Sequence, residues 1–415
     1  MKKNLLILAV LPIIISCGAS GGTSPSPFSF LPLPSATPEV KVSSPNLTNN
    51  LDPVKKFDQP ITKEEFPDPR VQVASYQKIL KAIDLGDFEY VFKEYDAGGL
   101  KNSAIRAETE FNDYPMNYTI SSIAQNIGQV GINKTNLYDI TVADKKLIIK
   151  NALRNLLLQS VRAQSRRLVE NNTNSLTDDN RYGEDVAKNA EIFFYGSDNA
   201  TLAEGSVANF SKLVDKNNKI STYDNIIENL NKLKSDSKNG NKNNLIFARD
   251  KIETNLIKLL YISTLEKVAT TVSKKDNNLL TEGEFFYLSM KNFIRSSNNE
   301  NTFKVEKVFY GKNYLDIKYL DFEKGLASGI IEKGIESMNK ALEKIESNNQ
   351  DSINMANLGK MYLDIINSSY DNPRFTKTAD AQISLVSDEF INAIKAKNKQ
   401  KSTDAIQKMS KLLFK

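Results

Sequence analysis

The sequence predicts an all-α protein, a multi-helical antiparallel bundle built from two pseudo-repeated helical halves at 70–240 and 241–415. Apolar residues recur at helical spacing throughout this region, and asparagine-rich breaks separate the apolar segments. Alternating, β-branched strand patterns are scarce. Because every amphipathic helix must bury its apolar face, helices packed side by side satisfy all of these segments together.

The composition is that of an ordinary globular protein. The chain has 415 residues, of which 40% are apolar and 25% are charged, enough for two domains and a linker. The 55 basic and 50 acidic residues give a net charge of +5, without any block of like charge. Nucleic-acid binding normally requires a concentrated basic face, so no nucleic-acid partner is expected.

The first 16 residues predict a lipoprotein signal peptide. Two lysines at positions 2 and 3 precede an apolar run over 5–15, which is too short to span a bilayer, and Ser16-Cys17 follows. The segment Ile-Ile-Ser-Cys resembles the lipobox of bacterial lipoproteins, in which the cysteine is diacylated and becomes the new N-terminus. Cys17 is the only cysteine, so it has no internal disulfide partner. The alternative is an ordinary signal peptide with a cysteine placed by chance.

This leader predicts a lipid-anchored protein of the cell envelope. Gly18 follows the cysteine, and in two-membrane bacteria a residue other than aspartate at this position usually directs a lipoprotein to the outer membrane. We therefore expect attachment to the membrane through Cys17, with the protein on the periplasmic or the surface face. Acyl chains anchor a protein because each buried methylene contributes about 0.8 kcal/mol.

Residues 17–69 predict a tether. Ten of the 13 prolines lie between Pro25 and Pro69, mixed with serine, threonine and glycine. Such a segment has little apolar surface to bury and favours extended conformations. The folded part is expected to begin near Arg70.

Beyond the tether, helical spacing is clear in both halves. The apolar positions that carry it are Tyr76, Ile79, Leu80 and Ile83; Ile149, Leu153, Leu156 and Leu157; Ile252, Leu256, Leu259 and Leu260; Ile331, Ile335, Met338, Leu342 and Ile345; Leu358, Met361, Tyr362 and Ile365; and Ile383, Val386, Phe390 and Ile394.

Short matches indicate an internal repeat. Residues 155–157 align with 255–257, and Gly183-Glu184 aligns with Gly283-Glu284, both at an offset of 100 positions. A third match, 190–196 with 305–311, ends in Phe-Tyr-Gly in both copies and lies at an offset of 115. It requires a 15-residue insertion, for which the polar stretch 295–302 offers room. A duplicated helical unit explains the three matches, and chance similarity in a lysine- and asparagine-rich chain is the alternative.

The residue inventory restricts the chemistry. The chain contains no histidine, so Ser-His-Asp and Cys-His catalysis and histidine-ligated zinc are excluded, and its single thiol is assigned to the lipid. Neither G-x-x-x-x-G-K-[ST] nor G-x-G-x-x-G occurs. We expect no enzymatic activity and no organic cofactor.

Carboxylates and phenols remain as candidate ligands, and these oxygens suit hard cations. If the halves pack about a pseudo-two-fold axis, Glu184 and Glu284 face each other, and a bound cation would relieve their repulsion. The candidate metal ligands are Glu184, Glu191, Glu282, Glu284 and Glu306, accompanied by Tyr195 and Tyr310.

The same residues have a purely structural interpretation. Thr281 and Glu284 have the spacing of a capping box, in which each side chain accepts a hydrogen bond from the other residue's backbone N–H at the start of a helix. Glu282 would then lie near the positive end of the helix dipole. The Phe-Tyr-Gly segments would supply core aromatics, with Gly196 and Gly311 as helix C-caps.

Taken with the lipobox, the segment Glu282-Gly283-Glu284-Phe285-Phe286-Tyr287 and the repeated Phe-Tyr-Gly resemble features of the algal low-iron-inducible, iron-assimilating periplasmic proteins and their bacterial lipoprotein relatives. The resemblance extends from Tyr76 to Tyr319. It departs at Tyr182, where the first copy would need a counterpart of Glu282, and the helices from Ile353 onward have no counterpart.

Membership would imply an exported helical protein that assists iron uptake without redox chemistry of its own. The expected function is therefore accessory iron binding through carboxylate and tyrosine oxygens, with an iron transporter as partner. The alternative is a helical interaction or structural lipoprotein that holds an envelope protein without binding a metal.

Overall fold

Fifteen α-helices and one short β-hairpin make up the part of the chain that the structure describes, which confirms the all-α class. The computed structural model describes residues 68–111, 115–171, 181–199, 201–239, 241–294, 296–367 and 382–413. The helices are α1 (Pro69–Leu85), α2 (Phe88–Ala97), α3 (Leu100–Phe111), α4 (Met116–Gln125), α5 (Val142–Asn171), α6 (Arg181–Tyr195), α7 (Val207–Asn218), α8 (Thr222–Asn239), α9 (Lys242–Lys274), α10 (Asn278–Ile294), α11 (Asn299–Gly311), α12 (Tyr319–Glu343), α13 (Asn349–Asn367), α14 (Ile383–Lys395) and α15 (Lys399–Leu413).

The hairpin lies between α4 and α5 and was not predicted. Its strands, β1 (Gln129–Val130) and β2 (Thr135–Asn136), pair antiparallel with Val130 opposite Thr135. Two residues per strand are too few to produce an alternating pattern that a sequence could reveal. Two 3₁₀ turns, Leu137–Asp139 and Tyr314–Asp316, complete the regular structure of the described ranges.

The first helix begins one residue before the predicted start of the folded part. The carboxylate of Asp68 accepts a hydrogen bond from the backbone N–H of Arg70 at 2.9 Å, and Pro69 occupies the first helical position. Gly86 ends the helix in the left-handed conformation with φ 80°. The apolar residues that predicted α1 are buried. The predicted signal peptide, Cys17 and all but the last two residues of the tether lie outside the described residues.

Two long helices form the centre of the fold. Helix α5 has 30 residues and α9 has 33, and most residues of both are buried. They begin 100 residues apart, at Val142 and Lys242, and pack on each other. Helices α3, α4 and α6 surround α5, helices α8 and α13 surround α9, and α10 packs on both. A helix that is buried on nearly every side cannot show a polar face, so α5 and α9 have to satisfy their polar residues internally.

The described helices belong to one compact unit, which spans 60–415. The matched segments of the internal repeat lie on comparable helix pairs, because α5 packs on the following α6 and α9 packs on the following α10. The third matched segment forms the end of α6 in the first copy and the end of α11 in the second. The described residues between α10 and α11 are 296–298. The duplication itself stays a prediction.

Glycines allow close helix packing in the C-terminal region. A Cβ on Gly329 of α12 would lie 1.5 Å from the carbonyl oxygen of Ile294, at the end of α10. A Cβ on Gly334 would lie 2.9 Å from the side chain of Leu363 in α13. Helix α12 therefore approaches its neighbours at distances that only glycine permits.

We predict that Gly329→Ala destabilises the protein by about 3 kcal/mol or more, because the contact atom is backbone and α12 would have to move as a whole. Gly311→Ala is the matched control, since a Cβ there meets no atom within 4 Å. The control should change the free energy of unfolding by less than about 0.5 kcal/mol. Chemical denaturation of both variants checks this, and equal stabilities would contradict the close approach of α12 to α10.

Candidate functional site

The five predicted glutamates each lie beside a different lysine. The pairs, with their shortest N–O distances, are Glu184–Lys238 at 3.2 Å, Glu191–Lys234 at 3.9 Å, Glu282–Lys267 at 2.5 Å, Glu284–Lys312 at 3.1 Å and Glu306–Lys291 at 2.8 Å. Within the described ranges, no group of three or more acidic side chains is arranged to hold a metal ion. A cation that approached any of these glutamates would therefore meet an ammonium group already in contact with it.

Glu184 and Glu284 have different surroundings. The side chain of Glu184, in the first turn of α6, is 38% exposed, whereas that of Glu284, in α10, is 1% exposed. The lysine partner of Glu184 lies on α8, and the lysine partner of Glu284 follows α11. Helices α6 and α10 both pack on α5 and share no extensive contact with each other. These differences give no support to a symmetric pair of carboxylates.

Glu284 attaches the hairpin to the second half of the chain. Its Oε1 accepts a hydrogen bond from the backbone N–H of Ile132 at 2.6 Å. The neighbouring Gly131 has φ 79°, and a Cβ there would lie 2.6 Å from the same oxygen. The amide of Asn133 donates to the carbonyl oxygens of Phe309 and Tyr310, both at 2.9 Å. The side chain and the backbone of the second half therefore hold the hairpin turn of the first half.

The capping-box interpretation of Thr281 and Glu284 is wrong. Helix α10 begins at Asn278, so both residues lie inside it, and Asp276 accepts a hydrogen bond from the backbone N–H of Asn278 at 3.0 Å. The hydroxyl of Thr281 instead accepts from Lys312 at 3.4 Å. Asp276 lies five positions before Thr281, and the earlier start is favoured because it adds a further hydrogen-bonded turn to the helix.

The two Phe-Tyr-Gly segments are mainly structural. Phe194 and Phe309 are fully buried, as the structural interpretation predicted. Gly196 is the left-handed C-cap of α6 with φ 66°, also as predicted. Gly311 is still helical, and Lys312 adopts the left-handed conformation after α11 with φ 42°. The C-cap prediction for Gly311 is therefore wrong by one residue.

The two candidate tyrosines are phenols that hold their protons tightly. Burial, followed by the neighbouring Tyr223, raises the pKa of Tyr195. Burial and the nearby Glu306 raise the pKa of Tyr310, although 48% of this residue is exposed. Glu306 also accepts a hydrogen bond from the hydroxyl of Tyr287 at 3.3 Å. The carboxylate of Glu306 thus has both a lysine and a phenol as neighbours.

A buried charge network joins α5 to α9, and sequence reasoning missed it. Oε1 of Glu253 lies 2.6 Å from Nε of Arg166 and 3.3 Å from Nε of Arg162, while Arg162 also donates to Gln159 at 2.6 Å. Burial of the carboxyl group would raise the pKa of Glu253, but Arg162 and Arg166 outweigh this effect and hold the pKa below its usual range. Glu253 is therefore an ionised carboxylate inside the core.

Asp250, one helical turn before Glu253, is held less strongly in its ionised form. Its Oδ1 accepts hydrogen bonds from Nε and Nη2 of Arg249 at 2.9 and 2.7 Å. Burial raises the pKa of Asp250 to about 6, and Arg249 offsets only part of that rise. This carboxyl group therefore changes its protonation state in a mildly acidic range.

A small polar cleft of about 30 Å³ lies among α1, α3, α5 and α6. Its walls carry guanidinium, carboxamide and hydroxyl groups over a small apolar floor. The residues are Arg106 and Arg167; Gln72, Gln159 and Gln164; Ser103 and Ser160; and Ala107, Ala163 and Phe193. Five of these residues lie on α5. From the sequence alone, polar side chains on a helix are usually interpreted as a solvent-exposed face.

Comparisons with known proteins identify no relative. No family model matches the chain, and neither a curated protein nor a solved structure shows significant similarity to it. The resemblance to iron-assimilating proteins therefore stays a prediction, and the function has to be argued from the site itself.

We predict that Glu284→Gln destabilises the protein by about 1–3 kcal/mol, because it removes a buried negative charge that lies beside Lys312 and leaves a weaker acceptor for the Ile132 N–H. Glu282→Gln is the matched control. The side chain of Glu282 is 19% exposed, and its loss removes one ion pair with Lys267. That change should cost less than about 1 kcal/mol.

Urea denaturation of the two variants measures the difference. A larger loss in Glu282→Gln than in Glu284→Gln would contradict the structural role that the contacts assign to Glu284.

We predict that the stability of Asp250→Asn, compared with that of the wild type, increases as the pH rises. The folded-state pKa is about 6 and the unfolded value is 3.8, so the folded state binds the extra proton between these two values. The stability of the wild type therefore falls as the pH rises from about 4 to about 6, by at most on the order of 3 kcal/mol from this group. Asparagine lacks this titration and can still accept from Arg249.

Free energies of unfolding at about pH 4 and about pH 7.5 test this prediction through the difference between variant and wild type. Asp351→Asn is the control, since that side chain is 44% exposed and pairs with Lys344 at the surface. A difference for Asp250→Asn that does not depend on pH would contradict the assigned pKa.

Proposed function

We propose that this protein is a lipid-anchored, helical interaction protein of the cell envelope, whose five conspicuous glutamates have structural roles. One observation supports the structural role of the glutamates: the carboxylate of each lies within 3.9 Å of the ammonium group of a different lysine. All five of these pairs join different helices or a helix and a loop. The acids thus connect elements of the fold, as ion pairs in a packed helical protein commonly do.

The five lysines also make metal binding at these glutamates less favourable. A hard cation prefers several carboxylates that share one site, so that their mutual repulsion is relieved when the cation binds. Here a lysine already supplies the compensating charge at each glutamate. A cation would have to displace that ammonium group, and it would gain only a single carboxylate by doing so.

The tether supports the proposal of a lipid-anchored interaction protein. The leader and Cys17 are features of bacterial lipoproteins, and residues 17–69 have the composition of a spacer between a membrane and a folded domain. None of the helices in the described ranges combines the length and apolar composition that crossing a bilayer requires. An anchored helical body on a proline-rich spacer is suited to holding a partner near the membrane.

Iron binding through oxygen ligands is the second candidate, and one buried cluster favours it. Tyr319 has its hydroxyl in the core, where burial, followed by the nearby Glu323 and Tyr261, raises its pKa. Glu323 and Tyr261 are fully buried. A carboxylate and two phenols in one region offer the hard oxygen ligands that ferric iron accepts. These residues differ from the five glutamates that the sequence singled out.

The test compares the full chain with two variants. We expect Cys17→Ser to lose incorporation of labelled fatty acid and to leave the membrane fraction, because the thiol is the proposed acylation site. We expect the double variant Glu184→Gln, Glu284→Gln to keep the same cross-linked envelope partner as the wild type, once its lower stability is allowed for. Titration of the purified wild type with ferric citrate should show no saturable binding.

Two results would contradict this proposal. Saturable iron binding that the double variant loses would assign the glutamates to a metal site. Iron binding with a visible phenolate absorption band, retained in the double variant and lost in Tyr319→Phe, would favour the second candidate at the Tyr319 cluster.

A further inference from the structure

Four exposed lysines surround the connection between α14 and α15. Lys395, Lys397, Lys399 and Lys401 alternate with neutral residues over 395–401, and no acid interrupts this segment, the lysine turn. All four lysines are exposed, and none of them forms an ion pair with another described residue. The lysine turn therefore presents four positive charges to the solvent in a short stretch of chain.

Helix capping orders the backbone of the lysine turn. Lys397 adopts the left-handed conformation with φ 53°, and its backbone N–H donates to the carbonyl oxygen of Ile394 at 2.9 Å. The backbone N–H of Asn398 donates to the carbonyl oxygen of Ala393, also at 2.9 Å, which closes the end of α14. The side chain of Asn398 accepts from the backbone N–H of Lys401 at 3.0 Å and so begins α15. A defined turn thus holds the four lysines close together.

The acids near the lysine turn do not neutralise it. Asp388 and Glu389 of α14 pair with lysines of α13 and α15 that lie outside the turn. Asp404 of α15 accepts a hydrogen bond at 2.8 Å from a glutamine side chain. Glu343 at the end of α12 and Glu346 just after it are exposed, but neither forms an ion pair with the turn. The positive charge of the turn is therefore available to a partner.

Spaced lysines of this kind suit an extended anionic surface. The lysine ammonium group is a compact, hydrated charge on a flexible stem, so it follows a field of negative charge without requiring one fixed geometry. Near a membrane of anionic lipids, each lysine increases the affinity about fivefold. The lysine turn contains no aromatic or large apolar residue, so its attraction to such a surface is electrostatic.

We propose that the lysine turn binds the anionic head groups of a phospholipid membrane. This inference rests on the proposed lipid anchor, which keeps the helical body close to a bilayer and so raises the effective concentration of lipid at the turn. The anchor supplies the attachment, and the lysine turn determines which side of the helical body lies against the membrane.

The experiment uses the full chain carrying Cys17→Ser, because an acyl chain would insert into any vesicle and hide the contribution of the lysines. Co-sedimentation compares vesicles of phosphatidylcholine alone with vesicles that also contain phosphatidylglycerol. We expect at least about tenfold tighter binding to the anionic vesicles at low salt. This difference should disappear at about 1 M salt, where the screening length is about 3 Å.

Two double variants locate the contact. Lys397→Gln with Lys399→Gln should weaken binding to the anionic vesicles about 25-fold, at about fivefold for each lysine. Lys307→Gln with Lys318→Gln is the charge-matched control, since both lysines are exposed and form no ion pair with a described residue. They lie on α11 and directly before α12, and α11 shares no extensive contact with α14 or α15. The control should bind as the unsubstituted turn does.

Lys397→Gly separates charge from folding. Glycine adopts a positive φ freely, so this variant removes one charge without loss of stability in the turn. We expect about fivefold weaker binding to the anionic vesicles and an unfolding free energy that is not lowered.

Three results would overturn the proposal. Equal binding to neutral and anionic vesicles would show that the lysines do not respond to lipid charge. Equal weakening by the two double variants would assign the effect to net charge instead of the lysine turn. Binding to polyglutamate without binding to vesicles would assign the turn to an acidic protein. Because the assay uses a chain that cannot be acylated, its outcome is independent of the fatty-acid labelling that tests the anchor.

Discussion

The structure depends on a carboxylate that lies inside the core between two arginines. Glu253 on α9 contacts Arg162 and Arg166 on α5, and it stays ionised because these two charges outweigh the effect of burial on its pKa. Placing charges in a core is costly, and removing one partner of such a group typically costs about 3–5 kcal/mol. The two longest helices can therefore pack in few registers, since sliding one along the other would leave a buried charge without compensation.

This network also determines how the two halves of the chain meet. Phe293 of α10 lies under the guanidinium group of Arg162 at 5.5 Å, and Tyr362 of α13 lies 5.6 Å from Phe293. Elements from both halves thus converge on the same charges. Glu284 provides a second link, because it holds the backbone of the hairpin turn at Ile132. With two links of this kind, 70–240 and 241–415 behave as parts of one compact unit rather than as separate lobes.

The sequence predicted the positions of several helices but not the contacts that the buried polar residues make. Apolar spacing located α1, α5, α9 and α14, because burial of one face leaves a period that a single sequence displays. The start of α10 was misplaced, since Thr281-Glu284 and Asp276-Asn278 both carry capping residues and only the packed structure selects between them. The hairpin was missed because each strand has two residues. The resemblance to iron-assimilating proteins rested on short motifs whose acids turn out to lie beside lysines.

The polar residues of α5 were the hardest to interpret from sequence, and the reason is physical. Whether a glutamine or an arginine faces solvent or a neighbouring helix depends on residues more than 50 positions away along the chain, as Gln72 on α1 and Ser103 on α3 show for the cleft. A single sequence records the side chain but not its neighbours. The buried charges of α5 and α9 and the cleft beside them are therefore properties of the packing.

The comparison between the two halves shows that one matched position is balanced by different residues. Lys267 on α9 has Glu282 as a partner on the adjacent helix, and both side chains are partly exposed. Arg167 occupies the matching position on α5, but the matching residue on α6 is Tyr182. Under the repeat, Glu282 balances the charge at this position in the second half, whereas Arg167 has its interactions in a first half that carries no carboxylate at position 182.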